Sequence, residues 1–217
     1  MFGLFASTDK RKKYIETLLY RSRELRILQE INQLRGSTHN LTVLLSKISK
    51  LVMGQLDVRS VVALVSSADD QKLEIVSSTQ AIREIEHNHV LKRIATDTMQ
   101  SAFPIVVGST RMHPTLRRYR IRSLLAVPLM IYSGAIGALV VMNKQRGFSR
   151  QDVRLLSAIA TQTAAAIEFI KLNRQIERKE QETTALHKLL YEKERLRAKT
   201  DEMTQLYNKR FFHRGDE

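Results

Sequence analysis

All three prolines of this 217-residue chain, Pro104, Pro114 and Pro128, fall in its middle. Proline removes a backbone donor and clashes with the preceding helical turn, so both ends of the chain are free to form long helices. Their residues suit that. Between Lys10 and Leu34, the residues Ile15, Leu18, Leu25, Leu28 and Ile31 recur at threes, fours and sevens with charges between them, which predicts one helix. Gly36 ends it, and Thr38 or Asn40 stands ready to cap the next. A second long helix is predicted from Ser149, with Asp152 in its first turn, where negative charge suits the helix dipole. It carries Leu155, Leu156, Ile159, Ala160, Thr163, Ala166, Ile167 and Ile170, and meets no breaker before Thr200. A helix of that length outruns its own domain and needs a partner helix.

The middle alternates short apolar runs with turn signals. Leu41, Leu44, Leu45, Ile48, Leu51 and Val52 give a helix with a wide apolar stripe suited to packing on a sheet. Strands are predicted at 58–66, 72–78, 105–107, 123–131 and 135–143, with a helix at 88–100 and a short irregular or helical piece at 113–119. In the second strand Leu73, Ile75 and Ser77 are read on one face, against Lys72, Glu74 and Val76. Tyr132-Ser133-Gly134 makes a tight hairpin between the last two strands. The order predicts an α+β fold with an antiparallel sheet flanked by helices rather than repeated βαβ units.

Composition narrows the function. With no cysteine, disulfides, thiolate metal sites, a cysteine nucleophile and a thioether-linked chromophore are excluded. The absence fits a cytoplasmic location. Met1 to Ser7 is briefly apolar before the basic run Lys10 to Lys13, the reverse of a secretory signal. The longest apolar run, Ala135 to Met142, is strand-sized, so no membrane span is expected. The net charge of +14 raises nucleic acid as a partner. Yet along the terminal helices, as from Glu177 to Arg197, positive charge alternates with Glu, the pattern of a solvated helix face, so no nucleic-acid partner is expected. No Gly-rich phosphate loop, Ser-His-Asp set or metal-ligand spacing is visible.

The run from Ile121 to Glu168 resembles a GAF domain. The likeness is carried by SLLAVPL with Pro128 inside it, by GAIGALVVMNK, and by GFSRQDVRLLSAIATQTAAAIE. With weaker motifs it extends over about 37–170. Cyclic-nucleotide-binding members of that family show Asn-Lys, then Phe, then Asp-Glu. Asn143, Lys144, Phe148 and Asp152 match, while Val153 stands in place of Glu. A structural role is the favoured reading of these residues: Phe148 filling the core, Asp152 capping the helix and pairing with Lys144.

The resemblance implies a small-molecule pocket covered by about 88–119. Arg111 and Arg117, with Arg118, Arg120 and Arg122 beside them, are forks suited to phosphate. Thr110, Thr115 and Ser123 supply hydroxyls, and Tyr119 a ring to stack on a base. The implied ligand is cyclic AMP or cyclic GMP. The alternative is a solvated basic loop.

Thr200 to Phe212, TDEMTQLYNKRFF, is similar to the opening of GGDEF modules, D-x-L-T-G-L-x-N-R-R-x-F. Asp201, Thr204, Leu206, Asn208, Arg210 and Phe212 match; Met203, Gln205 and Lys209 depart from it. The metal-binding acids of that family lie later than Glu217, so the chain is expected to be an inactive regulatory part of a diguanylate cyclase, shortened by design or by nature. The expected organisation is an N-terminal helix at 1–36, a GAF-like sensory domain at 37–170, a coiled-coil linker at 171–199 and the start of a GGDEF module at 200–217. A linker seam runs through Leu172, Ile176, Lys179, Thr183, Leu186 and Leu190, predicting a homodimer through the N-terminal and linker helices. Competing readings are a ligand-free dimerisation module and a protein-binding adaptor whose basic face meets an acidic partner.

Overall fold

The computed structural model describes residues 2–38, 40–66, 73–79, 89–108, 114–118 and 120–199. Among the described residues ten elements follow one another: α1 (Phe2–Ser37), α2 (Leu41–Leu56), β1 (Ser60–Ser66), β2 (Leu73–Ser78), α3 (His89–Ser101), β3 (Ile105–Val107), α4 (Pro114–Arg118), β4 (Leu124–Ile131), β5 (Gly134–Met142) and α5 (Arg150–Lys199). Two units are distinguished, one to Ile170 and one from Lys171. The first holds the sheet. In the second, α5 continues to Lys199 with Leu172, Ile176, Leu186 and Leu190 exposed.

The five strands form one sheet in the order β2-β1-β5-β4-β3, antiparallel throughout. Both faces are covered, which is why β1, β4 and β5 read as nearly continuous apolar runs. Alternate residues separate cleanly between the two faces. Val61, Ala63, Leu125, Val127, Leu139 and Val141 pack in one core with α2, α5 and part of α1. Val62, Leu64, Leu124, Ala126, Val140 and Met142 pack in the other, with Leu91 and Ala95 of α3 and Leu116 of α4. Pro128 lies beyond the stretch of β4 that β3 pairs, at an outer edge where its missing N–H breaks no ladder.

Strand β2 departs from the predicted alternation. Ser77 pairs with Ala63 but Ile75 with Leu64, leaving Val76 as the extra residue of a bulge. Leu73 and Ile75 therefore pack in the α3-side core. Ser77 turns instead to α2, its hydroxyl 3.3 Å from that of Ser49.

Helix α1 carries two apolar seams where the sequence suggested one. Ile27 and Ile31 are buried in the α2–α5 core, with Tyr20 and Leu34 packed against it. Ile15, Leu18 and Leu25 are 54%, 48% and 62% exposed. At about 100° per residue the two sets fall on opposite sides of the helix. Tyr20 donates its hydroxyl to the Gln151 carbonyl at 2.8 Å, and Arg23 Nε donates to Gln55 Oε1 at 2.7 Å, so α1 is fastened to the start of α5 and the end of α2. Farther along, the Arg35 guanidinium lies over the Phe169 ring, 5.2 Å from its centroid. The two helices thus run side by side in the same direction.

By length and composition α5 passes as a membrane-crossing helix, contrary to the reading of the apolar runs, but half of the qualifying stretch is buried. Its apolar residues, Leu155, Leu156, Ile159, Ala160, Ala164, Ile167 and Ile170 among them, are those that cover the sheet.

Gly137 lies where β5 crosses closest to β1. A Cβ there would overlap the Leu64 carbonyl oxygen and press on Val65 Cα. Gly137→Ala should therefore destabilise by about 1–3 kcal/mol. Gly54, in α2 with open space around it, should respond oppositely: Gly54→Ala should stabilise by about 0.5–1 kcal/mol. Denaturant midpoints at unchanged slope test both.

Candidate functional site

The side of the sheet under α3 and α4 is where the predicted pocket belongs. Its described wall is apolar, built from Val62, Leu64, Ala126, Ala138, Val140 and Met142. Two hydroxyls interrupt it. That of Thr98 is satisfied by the Ile94 carbonyl one turn back, at 2.6 Å. That of Ser60 is not: Ser60 is fully buried and its Oγ has no hydrogen-bond partner. Ser60 pairs with Met142, whose side chain belongs to the α3-side core, so its hydroxyl points to the same side. An unpaired buried hydroxyl costs about 1–3 kcal/mol, which a bound polar group would recover. The alternating sequence did hold a signal for it, a single serine opening the otherwise apolar run of β1.

Of the residues predicted to bind the ligand, the side chains of Ser123 and Arg117 are described. Ser123 is buried, but its hydroxyl donates to the Lys144 carbonyl at 3.1 Å, tying β4 to the loop after β5. Arg117 is exposed on α4. Thr115 belongs to α4, with its side chain outside the description, and Thr110, Arg111 and Tyr119 lie outside the described residues. The same holds for Asp201, Thr204, Leu206, Asn208 and Arg210.

The second predicted group does come together. Asn143 adopts a left-handed φ of 64° at the end of β5; its N–H donates to the Ser123 carbonyl and its Oδ1 accepts the Arg122 N–H at 2.7 Å. Lys144 Nζ is 2.6 Å from Asp152 Oδ1. Asp152 Oδ2 accepts both the N–H and the hydroxyl of Ser149, and the Ser149 hydroxyl accepts the Asp152 N–H, a reciprocal cap on α5. Phe148 packs against the α2–α5 core. In this geometry the four residues seat the start of α5.

Burial on its own would raise the pKa of Asp152. The hydrogen bonds from Lys144 and Ser149 outweigh it and hold the carboxyl below its ordinary range. Tyr20 nearby is shifted up, first by burial and then by the carboxylates of Glu24 and Asp152. Among the described residues no group of acids and histidines is placed to hold a metal ion. Nor do they bring a nucleophile to a base. What the described residues show on this side of the sheet is an apolar core with one unpaired buried hydroxyl, that of Ser60.

The sequence matches the GAF domain family over residues 40–167. Among solved structures it is similar to the GAF domain of the phosphoenolpyruvate-protein phosphotransferase of Acinetobacter. That match has 20% identity and a TM-score of 0.56, covering 71% of this chain and 95% of the other. The corresponding domain from Coxiella burnetii matches at 14% identity and a TM-score of 0.58, over 71% and 98%. Free methionine-R-sulfoxide reductase from Neisseria meningitidis, solved with its substrate, matches at 15% identity and a TM-score of 0.56, over 73% and 93%. No curated protein matches.

Removing the Asp152 carboxylate should loosen the start of α5. Asp152→Ala should cost about 1–2 kcal/mol at neutral pH. The folded-state pKa lies below the unfolded value of about 3.9. The contribution is therefore complete above that value and lost as pH falls through the folded one. Stability curves of the two proteins measured from pH 7 downward should converge in acid; a constant gap would contradict the role.

Proposed function

The chain belongs to the GAF domain family, sensory and regulatory modules of signalling proteins, and from that premise we propose that it senses a small molecule as a homodimer and controls a diguanylate cyclase module beginning near Thr200. The observation that carries the dimer is the pair of open seams. On α1, Ile15, Leu18 and Leu25 are exposed opposite the buried set. On α5, Phe169, Leu172 and Ile176 are exposed, and Ala165 with them, on the side away from Ile159, Ala160 and Ile167. Two parallel helices, each with a bare heptad seam, are suited to a four-helix contact with a second copy.

The cyclase assignment rests on the sequence of Thr200 to Phe212, which follows α5 directly. Each GGDEF module holds one GTP, so two must face each other, and paired linker helices set how they do so. Lys179 and Thr183 interrupt the apolar seam between Ile176 and Leu186. Thr183 gives its hydroxyl to the Lys179 carbonyl at 2.8 Å and so tolerates an apolar surrounding. This stretch is the weak point where two packings are close enough in energy for a ligand to choose between them. In the full-length enzyme, Lys179→Leu with Thr183→Leu should strengthen dimerisation and abolish the response of cyclase activity to ligand; an unchanged response would exclude the switch.

The ligand is proposed to be cyclic AMP or cyclic GMP, with Ser60 as a hydrogen-bonding group in the pocket. Thermal unfolding with cyclic AMP, cyclic GMP, cyclic di-GMP and GTP tests this. A ligand at a hundred times its dissociation constant adds about 2.7 kcal/mol. Ser60→Ala should leave the free protein as stable or up to about 1 kcal/mol more stable, while reducing the ligand's shift. No shift with either cyclic mononucleotide, or a shift as large in Ser60→Ala, would contradict the assignment.

A further inference from the structure

One end of the sheet gathers positive charge that no acid among the described residues pairs with. There the start of β1, the start of β4 and the loop after β5 are joined by main-chain bonds. The Arg59 N–H donates to the Met142 carbonyl at 3.2 Å, the Arg122 N–H to Asn143 Oδ1 at 2.7 Å, and the Gly147 N–H to the Lys144 carbonyl at 3.2 Å. Arg59, Arg120, Arg122 and Arg146 all stand on these segments and all are exposed. None of the four forms an ion pair among the described residues. Lys144 is taken by Asp152, and Asp57, exposed at the end of α2, is the nearest acid in sequence.

We propose that this end of the sheet is a docking surface for an acidic polypeptide segment of a different protein. Arg120 has a left-handed φ of 56°, Asn143 of 64° and Asp57 of 52°, and Asn143 holds the Arg122 N–H, so the backbone that carries the arginines is tied at this end of the sheet. Arg59 and Arg122 flank the end of β5, two strand spacings or about 10 Å apart, within reach of carboxylates along one extended chain. Guanidinium forks take carboxylates in bidentate fashion. A second copy is a poor occupant, because two chains of net charge +14 repel each other at long range. Nucleic acid is disfavoured, because four charges in a compact cluster neutralise few phosphates. A membrane is disfavoured because these segments expose no large apolar side chain to insert.

The test measures binding of fluorescent poly-L-glutamate of about twenty residues, long enough to span the array when extended, at low and at physiological ionic strength. Arg59→Glu with Arg122→Glu changes the patch but keeps the main-chain bonds. Arg178→Glu with Arg195→Glu makes the same charge change on the exposed later part of α5. Circular dichroism and melting confirm folding, and Arg120→Gln with Arg146→Gln serves if the first pair misfolds. The expected result is a loss of about tenfold or more in affinity for the patch variant and little for the control, with weaker binding in salt. Equal losses in both variants would mean diffuse attraction and overturn the proposal. So would preferential loss of binding to a short DNA duplex or to phosphatidylserine vesicles with binding to polyglutamate unchanged.

Discussion

The seating of α5 is the constraint on which the rest depends. A sheet apolar on both faces must be covered on both. Over the α2–α5 side, α5 supplies Leu155, Leu156, Ile159, Ala160, Ala164 and Ile167. Its first turn is held by the carboxylate of Asp152, which answers Lys144 and Ser149 together. That small polar cluster sits beside the bond from Asn143 to Arg122 and the bond from Tyr20 to Gln151. Strand β4, strand β5, α1 and α5 are therefore indexed to one another within a few residues. A change at the sheet that displaces this corner displaces the start of α5.

Much of this was legible in advance because it is local. The Asn40 cap, with its Oδ1 accepting from Thr42 and Val43, needs only short-range geometry. The pairing of Lys144 with Asp152 spans one turn into a helix. Strand β3 was bounded by Pro104 and Gly108, and its predicted span matches the observed one. What was not legible depends on register. The bulge at Val76 is invisible in composition, yet it sends Ser77 toward α2 and leaves Leu73 and Ile75 under α3. The hydroxyl of Ser123 looked available for a ligand, but the closing of β4 onto β5 gave it the Lys144 carbonyl. The serine that opens β1 is visible in the sequence, but its lack of a hydrogen-bond partner is visible only in the fold. The apolar residues of α1 were read as one stripe because periodicity alone does not separate a seam that faces the domain from one that faces away.

That separation gives α1 and α5 their meaning. A helix buried on one side and bare on the other side of its axis is more than a cover for its own domain. Ile27 and Ile31 fasten α1 down, and Leu18 and Leu25 remain for something else. In the proposed dimer a second copy would cover these bare seams, and Lys179 and Thr183 in the later seam would make the pairing adjustable. The arginine end of the sheet involves neither helix seam, so a partner there would leave the dimer contact free.

The central claim is that α5 pairs with α5 of a second copy along a heptad seam. The chain has no cysteine, so single cysteines can be placed one at a time from position 171 to 190 and oxidised under mild conditions. The account predicts disulfide-linked dimers with maxima at 172, 176, 179, 183, 186 and 190, falling between them. Uniformly low yields, or maxima displaced to the face of Arg174 and Arg178, would contradict it.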